Sequence, residues 1–519
     1  MAARPNFLFL MTDQQRADHL GCAGHSVLRT PHLDALTASG VHCRRAYVTN
    51  PLCMPSRSTL YTGLTPRGHG VRTNGIDLDP GIPTFTEALR RAGYRTHSVG
   101  KIHLRVYGLP TGASEEDVDP ADFPEARDLW RSGRITDLPA PYYGLETADF
   151  TGGHGGGIYG HYLQWLRTEH PGAEELLHPS AGEPARTGAE QAWTMGLPAD
   201  LHYNTWCADR TIAFLESAAA DASDGRPFVA WCSFPDPHHP YCPPRPWDRA
   251  YALDDVPPPT RRAGELDDLA PHFRQVFAEG LPTSGRVAPT NIPDEQLREI
   301  TALTYGMVSF VDEQVGRVMA ALDRLGLREN TVVVFLADHG EMLGDHWLLN
   351  KGPFHFDGIL RVPLIWSWPG RFPAGVQSDA LVSLLDVAPT ILHLAGVPVP
   401  EGTVPPVPEA PAMLPPWPGQ VLTPLLEGRV TSVQPAVVVE NDEDYLGLRL
   451  RTVVTDRHQL TVYPGQPYGE LFDTQEDPGQ LHNLWWQREY AGLRRDLQAL
   501  LLDRLVLTDN RLPRRLTHA

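Results

Sequence analysis

The chain is short of cysteine, of long apolar runs and of positive charge. Its six cysteines in 519 residues show no framework spacing, which excludes a small disulfide scaffold and makes a reducing cytoplasm the expected compartment. No run approaches the roughly 20 apolar residues that a bilayer-spanning helix needs, so no membrane partner is expected. The N-terminal run Phe7 to Met11 is shorter than a signal-peptide core, and no small-residue cleavage site follows it. A formal charge of −19 argues against a nucleic-acid surface and against docking on acidic lipid. It leaves room for a local basic pocket that takes an anion.

What is present is the composition of a globular protein, 41% hydrophobic and 21% charged, long enough for two packed units. Asn6-Phe-Leu-Phe-Leu-Met11 and Thr331-Val-Val-Val-Phe-Leu336 are continuous apolar runs, as in strands buried on both faces of a parallel sheet. Strand-like stretches at Tyr94 to Val99 and Phe228 to Phe234 alternate with helix-like ones around Pro31 to Ser39 and Thr84 to Ala92. That alternation predicts an α/β fold with a large, mostly parallel sheet sandwiched by helices. Residues 297–327 carry the period of a long amphipathic helix, interrupted near Gly306. Residues 105–200 predict an insertion of loops and short helices near the site mouth, and residues 398–418 a proline-rich loop. Short strands at Ala436 to Val439, Leu448 to Val454 and Gln459 to Tyr463, then a helix around Tyr490 to Leu505, predict a smaller C-terminal α+β domain with an antiparallel sheet. The expected division is a catalytic domain over 1–430 and a C-terminal subdomain and tail over 431–519. Val506 to Ala519, apolar and then basic, reads as a subunit-crossing arm, and a homo-oligomer is expected.

In parallel sheets ligands gather beyond the C-terminal strand ends, and Asp13, His238 and Asp338 each follow a predicted strand. Cys53-Met-Pro-Ser-Arg57 precedes a run, Ser58 to Gly63, that opens a helix. A helix N-terminus and Arg57 make an anion site, with Cys53 at its mouth, where a thiol ionises easily. Asp13-Gln14 and Asp338-His339 offer two carboxylates, an amide oxygen and an imidazole, an oxygen-rich donor set for a divalent cation. Singly, each pair is more often a helix cap; their meeting at strand ends is what points to a metal.

Cys53 to Arg57 resembles the signature of type I sulfatases, Cys-x-Pro-Ser-Arg, whose cysteine is oxidised after translation to formylglycine. From about residue 4 to about residue 485 the chain resembles the sulfatase branch of the alkaline-phosphatase superfamily. The landmarks include Thr30-Pro-His-Leu-Asp34, Gly93-Tyr-Arg-Thr-His-Ser-Val-Gly-Lys101-Ile-His103 and Pro237-His238-His-Pro240. Later come Ala337-Asp338-His339-Gly340-Glu341, Lys351, Arg361-Val-Pro363 and Leu471-Phe-Asp-Thr-Gln-Glu-Asp-Pro478. The resemblance implies Asp13, Gln14, Asp338 and His339 as metal ligands, with the modified Cys53 reaching the same ion. It also implies a formylglycine-generating enzyme as maturation partner. The Asp-Gln and Asp-His pairs are those of choline-sulfatase-like members and phosphonate monoester hydrolases. They lower the negative charge of the shell and add a nitrogen, so calcium is the first expectation and manganese the alternative.

The implied chemistry follows from a hydrated formylglycine, which carries two hydroxyls on one carbon. One, acidified by the metal, attacks sulfur in line; deprotonation of the other collapses the sulfated hemiacetal and expels sulfate. The resemblance gives Arg57 the orientation of the modified residue, and Lys101 and Lys351 the sulfate oxygens. His238 becomes the general acid, His103 the base toward the hemiacetal, and Asn74 a further donor to the anion. Either His238 or Lys351 can donate the proton if its pKa is tuned.

The resemblance also implies small sulfate monoesters, aryl or alkyl, as substrates, since phosphonate monoester hydrolases generally replace the Lys101 and His103 pair with other polar residues. Gln14 and His339 keep phosphonate monoester or phosphodiester hydrolysis as the alternative, since both transition states are in line and spread negative charge. The rival from another class is a catalytically silent binding protein in which Cys53 stays a thiol; Met54 and Leu64 depart from the commoner residues at their positions. Trp193, His202 and Tyr203 are candidates to line the alcohol pocket. Choline, aryl, alkyl and sugar sulfates are all compatible with the sequence.

Overall fold

The structure is a computed structural model that describes residues 4–220, 225–283, 286–288, 290–398 and 418–509. The least polar runs lie at its centre. Every residue of Asn6–Thr12 (β1) is buried, because neighbouring strands and helices cover both faces, and each Phe or Leu so buried contributes roughly 1.5–3 kcal/mol. Along the chain follow Val41–Tyr47 (β2), Arg95–Gly100 (β3), Thr147–Gly152 (β4), Phe228–Ser233 (β5), Thr331–Ala337 (β6), Leu364–Ser367 (β7) and Val376–Ser383 (β8). Their order across the sheet is β4-β3-β5-β1-β6-β7-β2-β8. Pairing is parallel from β4 to β6 and antiparallel on both sides of β7. Two short strands, Tyr159–Gly160 and Arg361–Val362, bring this sheet to ten among the described residues.

Register does the positioning. Thr12 pairs with Ala337, Met11 with Ser233 and Gly100 with Ser233, so four parallel strands end level on one rim. Beyond that level the Asp13 amide donates to the Asp236 carbonyl (3.2 Å), and the Asp338 amide to the Thr12 carbonyl (3.3 Å).

Three expectations are corrected. Residues 105–200 are not only loops and short helices, since β4 extends the main sheet through His97 to Thr147 pairing. The long helix Asp294–Arg324 runs unbroken through Gly306. There the glycine admits a crossing backbone: a Cβ would stand 2.2 Å from the Trp247 carbonyl oxygen. The helix after the cysteine begins at Cys53 itself and ends at Thr62 (α1). Pro55 falls in its first turn, where no intrahelical N–H is required.

The C-terminal part forms a four-stranded antiparallel sheet from Ala436–Glu443 (β9), Leu448–Thr455 (β10), His458–Val462 (β11) and Gly469–Asp473 (β12). The helix Ala491–Leu507 covers it with Leu497 and Leu501, beside Trp485. The Glu440 amide donates to the Thr49 carbonyl (2.8 Å) and ties this sheet to the main body. The proline-rich loop, apart from its first and last residues, lies outside the described residues, as does the proposed arm beyond residue 509. No helix among the described residues is long and apolar enough to cross a membrane.

Candidate active site

Helix α1 is buried at every residue and points its first residue, Cys53, at the rim where β1 and β6 end. The Ser56 hydroxyl donates to the Asp338 carbonyl (2.6 Å) and fastens the helix to that strand end. One turn after Cys53, Arg57 faces the same way, 2% exposed. Its Nε donates to Asp338 Oδ2 (2.7 Å) and its Nη2 to Asp13 Oδ2 (3.3 Å). Its Nη1 reaches the Lys101 carbonyl (2.8 Å) and Ser233 Oγ (3.1 Å). One guanidinium thus ties together the ends of four strands.

Donor atoms of Asp13, Cys53, Asp338 and His339 lie within 4.8 Å of one another, all buried. His339 Nδ1 donates to the Gly340 carbonyl (2.9 Å), which leaves Nε2 as the lone-pair nitrogen, 3.2 Å from Cys53 Sγ. Gln14, at a φ of 64°, donates its backbone amide to Asp338 Oδ1 (3.1 Å). Its Oε1 lies 3.0 Å from Lys351 Nζ, which also stands 2.9 Å from His339 Nε2 and 3.0 Å from Cys53 Sγ. The Lys351 ammonium is thus bracketed by three of the donors, Gln14 Oε1, Cys53 Sγ and His339 Nε2. The mainly oxygen donor set with one imidazole fits a divalent cation.

Burial alone would raise the Asp13 carboxyl, but Lys101, His238, His154 and Arg57 hold it well below the usual range. Burial and Asp13 push the Cys53 thiol up; Lys101, Lys351 and His339 outweigh them and bring it to about 7. Desolvation opposes the charge on Lys351, yet Cys53, Asp13 and Asp338 raise its pKa. Burial and neighbouring cations leave His238 well below an ordinary histidine. His238 Nδ1 faces the His239 carbonyl (2.5 Å), so its Nε2 accepts from Lys351 Nζ (2.8 Å).

Lys101 Nζ contacts Asp13 Oδ2 and lies 2.8 Å from His154 Nε2. The structure therefore brings together Asp13, Gln14, Cys53, Arg57, Lys101, His238, Asp338, His339 and Lys351. His103 is stacked on Tyr107 at 3.8 Å, and its Nδ1 has no hydrogen-bond partner among the described residues. Its backbone, at φ 60°, is held by Glu125, whose carboxylate accepts from the amides of residues 103, 104 and 105. Asn74 is exposed and accepts the Met54 amide at the start of α1 (3.0 Å). His202 and Tyr203 are fully buried rather than pocket-lining; Tyr203 donates to Asp236 (2.6 Å) in the core. Trp193 is half-buried in a two-residue strand.

Sequence reasoning missed His154, whose ring stacks on His238 at 3.6 Å. Its only local mark is a histidine inside a glycine run, Gly152-Gly-His-Gly-Gly-Gly157. Lysine usage was a usable signal for the site. Of 44 lysines and arginines in the chain only two are lysines, Lys101 and Lys351, and each donates to one of the two stacked imidazoles.

Comparison with known proteins gives the family. The chain matches the family described as Sulfatase over residues 5–397, and it belongs to that family. It is 30% identical to a protein of Escherichia coli (strain K12) described as the uncharacterized sulfatase YidJ, over 96% of this chain and 87% of that one. It is 27% identical to the choline-sulfatase of Rhizobium meliloti (strain 1021), over 93% and 82%. The solved phosphonate monoester hydrolase of Agrobacterium radiobacter superposes with a TM-score of 0.79 at 27% identity, covering 97% of this chain and 96% of that one. Fold and family make the chain a sulfuric ester hydrolase of the alkaline-phosphatase superfamily.

Proposed function

We propose that the protein hydrolyses aryl or alkyl sulfate monoesters to an alcohol and inorganic sulfate, with Cys53 acting in its formylglycine form. Asp13, Gln14, Asp338 and His339 hold one divalent cation, calcium first and manganese second. The observation that carries the reading is the setting of Cys53. It is the first residue of a buried helix, with Lys351 Nζ 3.0 Å and His339 Nε2 3.2 Å from its sulfur. Bound cation and converted side chain supply, respectively, Lewis acidity and a hydrated aldehyde.

The chain's own residues do the rest. Arg57 fixes both carboxylates, so their oxygens cannot swing toward the anion. Lys101 and Lys351 meet the charge that spreads over the sulfate oxygens in the transition state. Because Nε2 of His238 accepts from Lys351, the proton for the departing alcohol comes from the Lys351–His238 pair rather than from His238 alone. Asn74, at the exposed edge, is a further donor to the anion, and His103 is the base that releases the product from residue 53. A formylglycine-generating enzyme is the maturation partner.

A second reading, phosphonate monoester or phosphodiester hydrolysis, draws support from Gln14 and His339 and from the similarity to the Agrobacterium radiobacter enzyme. The test has two stages. Mass spectrometry across Cys53, on protein made together with a formylglycine-generating enzyme, should show a loss of about 18 Da. Then kcat/KM for an aryl sulfate is compared with that for an aryl phosphonate. An intact thiol returns the silent binding protein, and a strong phosphonate preference installs the second reading.

A further inference from the structure

Glu341 is a carboxylate, 1% exposed, for which the proposed reaction has no use. The turn that follows the Asp338-His339 pair carries it inward: the Gly340 amide donates to the Ile359 carbonyl (3.0 Å) and the Glu341 amide to the Gly358 carbonyl (2.9 Å). Arg16 Nη1 donates to the Glu341 carbonyl (3.0 Å), so the residue's backbone is held from two sides. The side chain forms no ion pair within 4.0 Å among the described residues. Its Oε1 accepts the Leu343 amide (3.2 Å). Its Oε2 accepts from Gln14 Nε2 and lies 3.4 Å from the Tyr241 hydroxyl. A buried carboxylate without an ion pair is costly even with the Lys351 charge acting on it from beyond 4.0 Å, so its retention calls for a reason.

The reason lies in the ambiguity of a carboxamide. The oxygen and the NH2 of glutamine have nearly the same shape, and either end can face a site. In Gln14 the Nε2 end is anchored on Glu341, with His239 Nδ1 3.1 Å away. Oε1 is thereby turned to Lys351 Nζ at 3.0 Å, beside Cys53 Sγ and His339 Nε2. Turned over, the amide would aim two N–H groups at the cation's position and set its oxygen against a carboxylate oxygen.

We propose that Glu341 is a positioning residue for the cation site: an acceptor-only carboxylate that holds the Gln14 amide with Oε1 toward the cation. The inference rests on the metal role proposed above for Gln14. It also accounts for the pairing of residue types. A carboxylate at position 14 would need no such anchor and would be repelled by one, so Gln14 and Glu341 form a matched pair.

The experiment is a titration of the chelator-stripped full chain with Mn²⁺ and with Ca²⁺, read calorimetrically, alongside the thermal midpoint of the metal-free protein. Glu341→Gln keeps the shape but can present either end to Gln14, so the dissociation constants should rise about 10- to 100-fold. Gln14→Glu in the native background should also weaken binding, because two buried carboxylates then face each other. Combining Gln14→Glu with Glu341→Gln transposes the charge in unchanged shape and restores a matched pair, so binding lost by Glu341→Gln should return. A merely structural role would lower the metal-free midpoint and would not be rescued by the second substitution. Constants unchanged within twofold for Glu341→Gln, or a double variant no better than that single one, overturn the proposal. If the native chain binds neither cation, the metal reading falls and takes this inference with it, an outcome distinct from equal binding by native and variant proteins.

Discussion

Replacing Arg57 by methionine keeps most of the apolar stem and removes the guanidinium, and it isolates the electrostatic core of the site. Arg57 touches two carboxylates that are wholly buried, Asp338 at 2.7 Å and Asp13 at 3.3 Å. It also satisfies the Lys101 carbonyl at 2.8 Å. Breaking a buried ion pair from one side typically costs about 3–5 kcal/mol. Lys101 remains beside Asp13 and offsets part of that, while Asp338 Oδ2 loses its donor outright. The expected loss is about 4 kcal/mol in chelator. A divalent cation bound as proposed would neutralise the same two carboxylates, so saturating calcium or manganese should recover a substantial part of it. Urea denaturation followed by tryptophan fluorescence reads this directly, since Trp231 lies in β5, stacked on Phe9 at 4.1 Å and on Tyr61 at 5.3 Å. An Arg57→Met protein as stable as the native chain in chelator would refute the reasoning. So would a loss that is the same with and without the cation.

Other outcomes follow from separate features. Burial lifts the Glu470 carboxyl to about 8 from an ordinary 4.5, against the Tyr463 hydroxyl and the Ala270 amide. As pH rises between those values the unfolded chain loses a proton that the fold retains, so folding stability must fall. Glu470→Gln should flatten that fall by roughly 4 kcal/mol between pH 5 and pH 8 in denaturation curves; parallel curves for the two proteins would count against it. At Gly340 an added Cβ would stand 2.0 Å from the Gly358 carbonyl oxygen. Gly340→Ala should cost about 1–3 kcal/mol and weaken cation binding by shifting Asp338 and His339; unchanged binding would show that the turn yields elsewhere. His154→Phe keeps a ring against His238 but removes the acceptor for Lys101. kcat/KM for the sulfate ester should drop about 10- to 100-fold with little change in thermal midpoint, and full activity would leave His154 a packing residue.

The fold was legible where side-chain pattern and burial coincide. β1 and β6 are apolar throughout because they are covered on both faces, and their runs announced them. β2 was not read, since Val41-His-Cys-Arg-Arg-Ala-Tyr47 mixes buried and exposed positions without strict alternation. Helix α1 starts at Cys53, ahead of the run Ser58 to Gly63 read from the sequence, because Pro55 in the first turn lacks nothing the helix uses. The Asp13-Gln14 and Asp338-His339 pairs were visible as short motifs after strands. His154 was not, because it reaches Lys101 only through the pairing of β4 with β3 across 53 positions of chain. Glu341 was visible as part of a motif, but its contact with Gln14 joins residues 327 positions apart, and no local pattern carries that.

The lysine content has a use outside catalysis. Lysine supplied as the one isotopically enriched amino acid would place two side-chain signals in the spectrum of a 57.4 kDa protein, one from Lys101 and one from Lys351. Both ammonium groups are buried among Asp13, Cys53 and the stacked rings of His154 and His238, so the spectrum would report on the site alone, free of the surface background that ordinarily hides it. Ligand occupancy, proton transfer and conversion of Cys53 would each appear as the movement of one or both peaks, without a chemical tag and without a substitution.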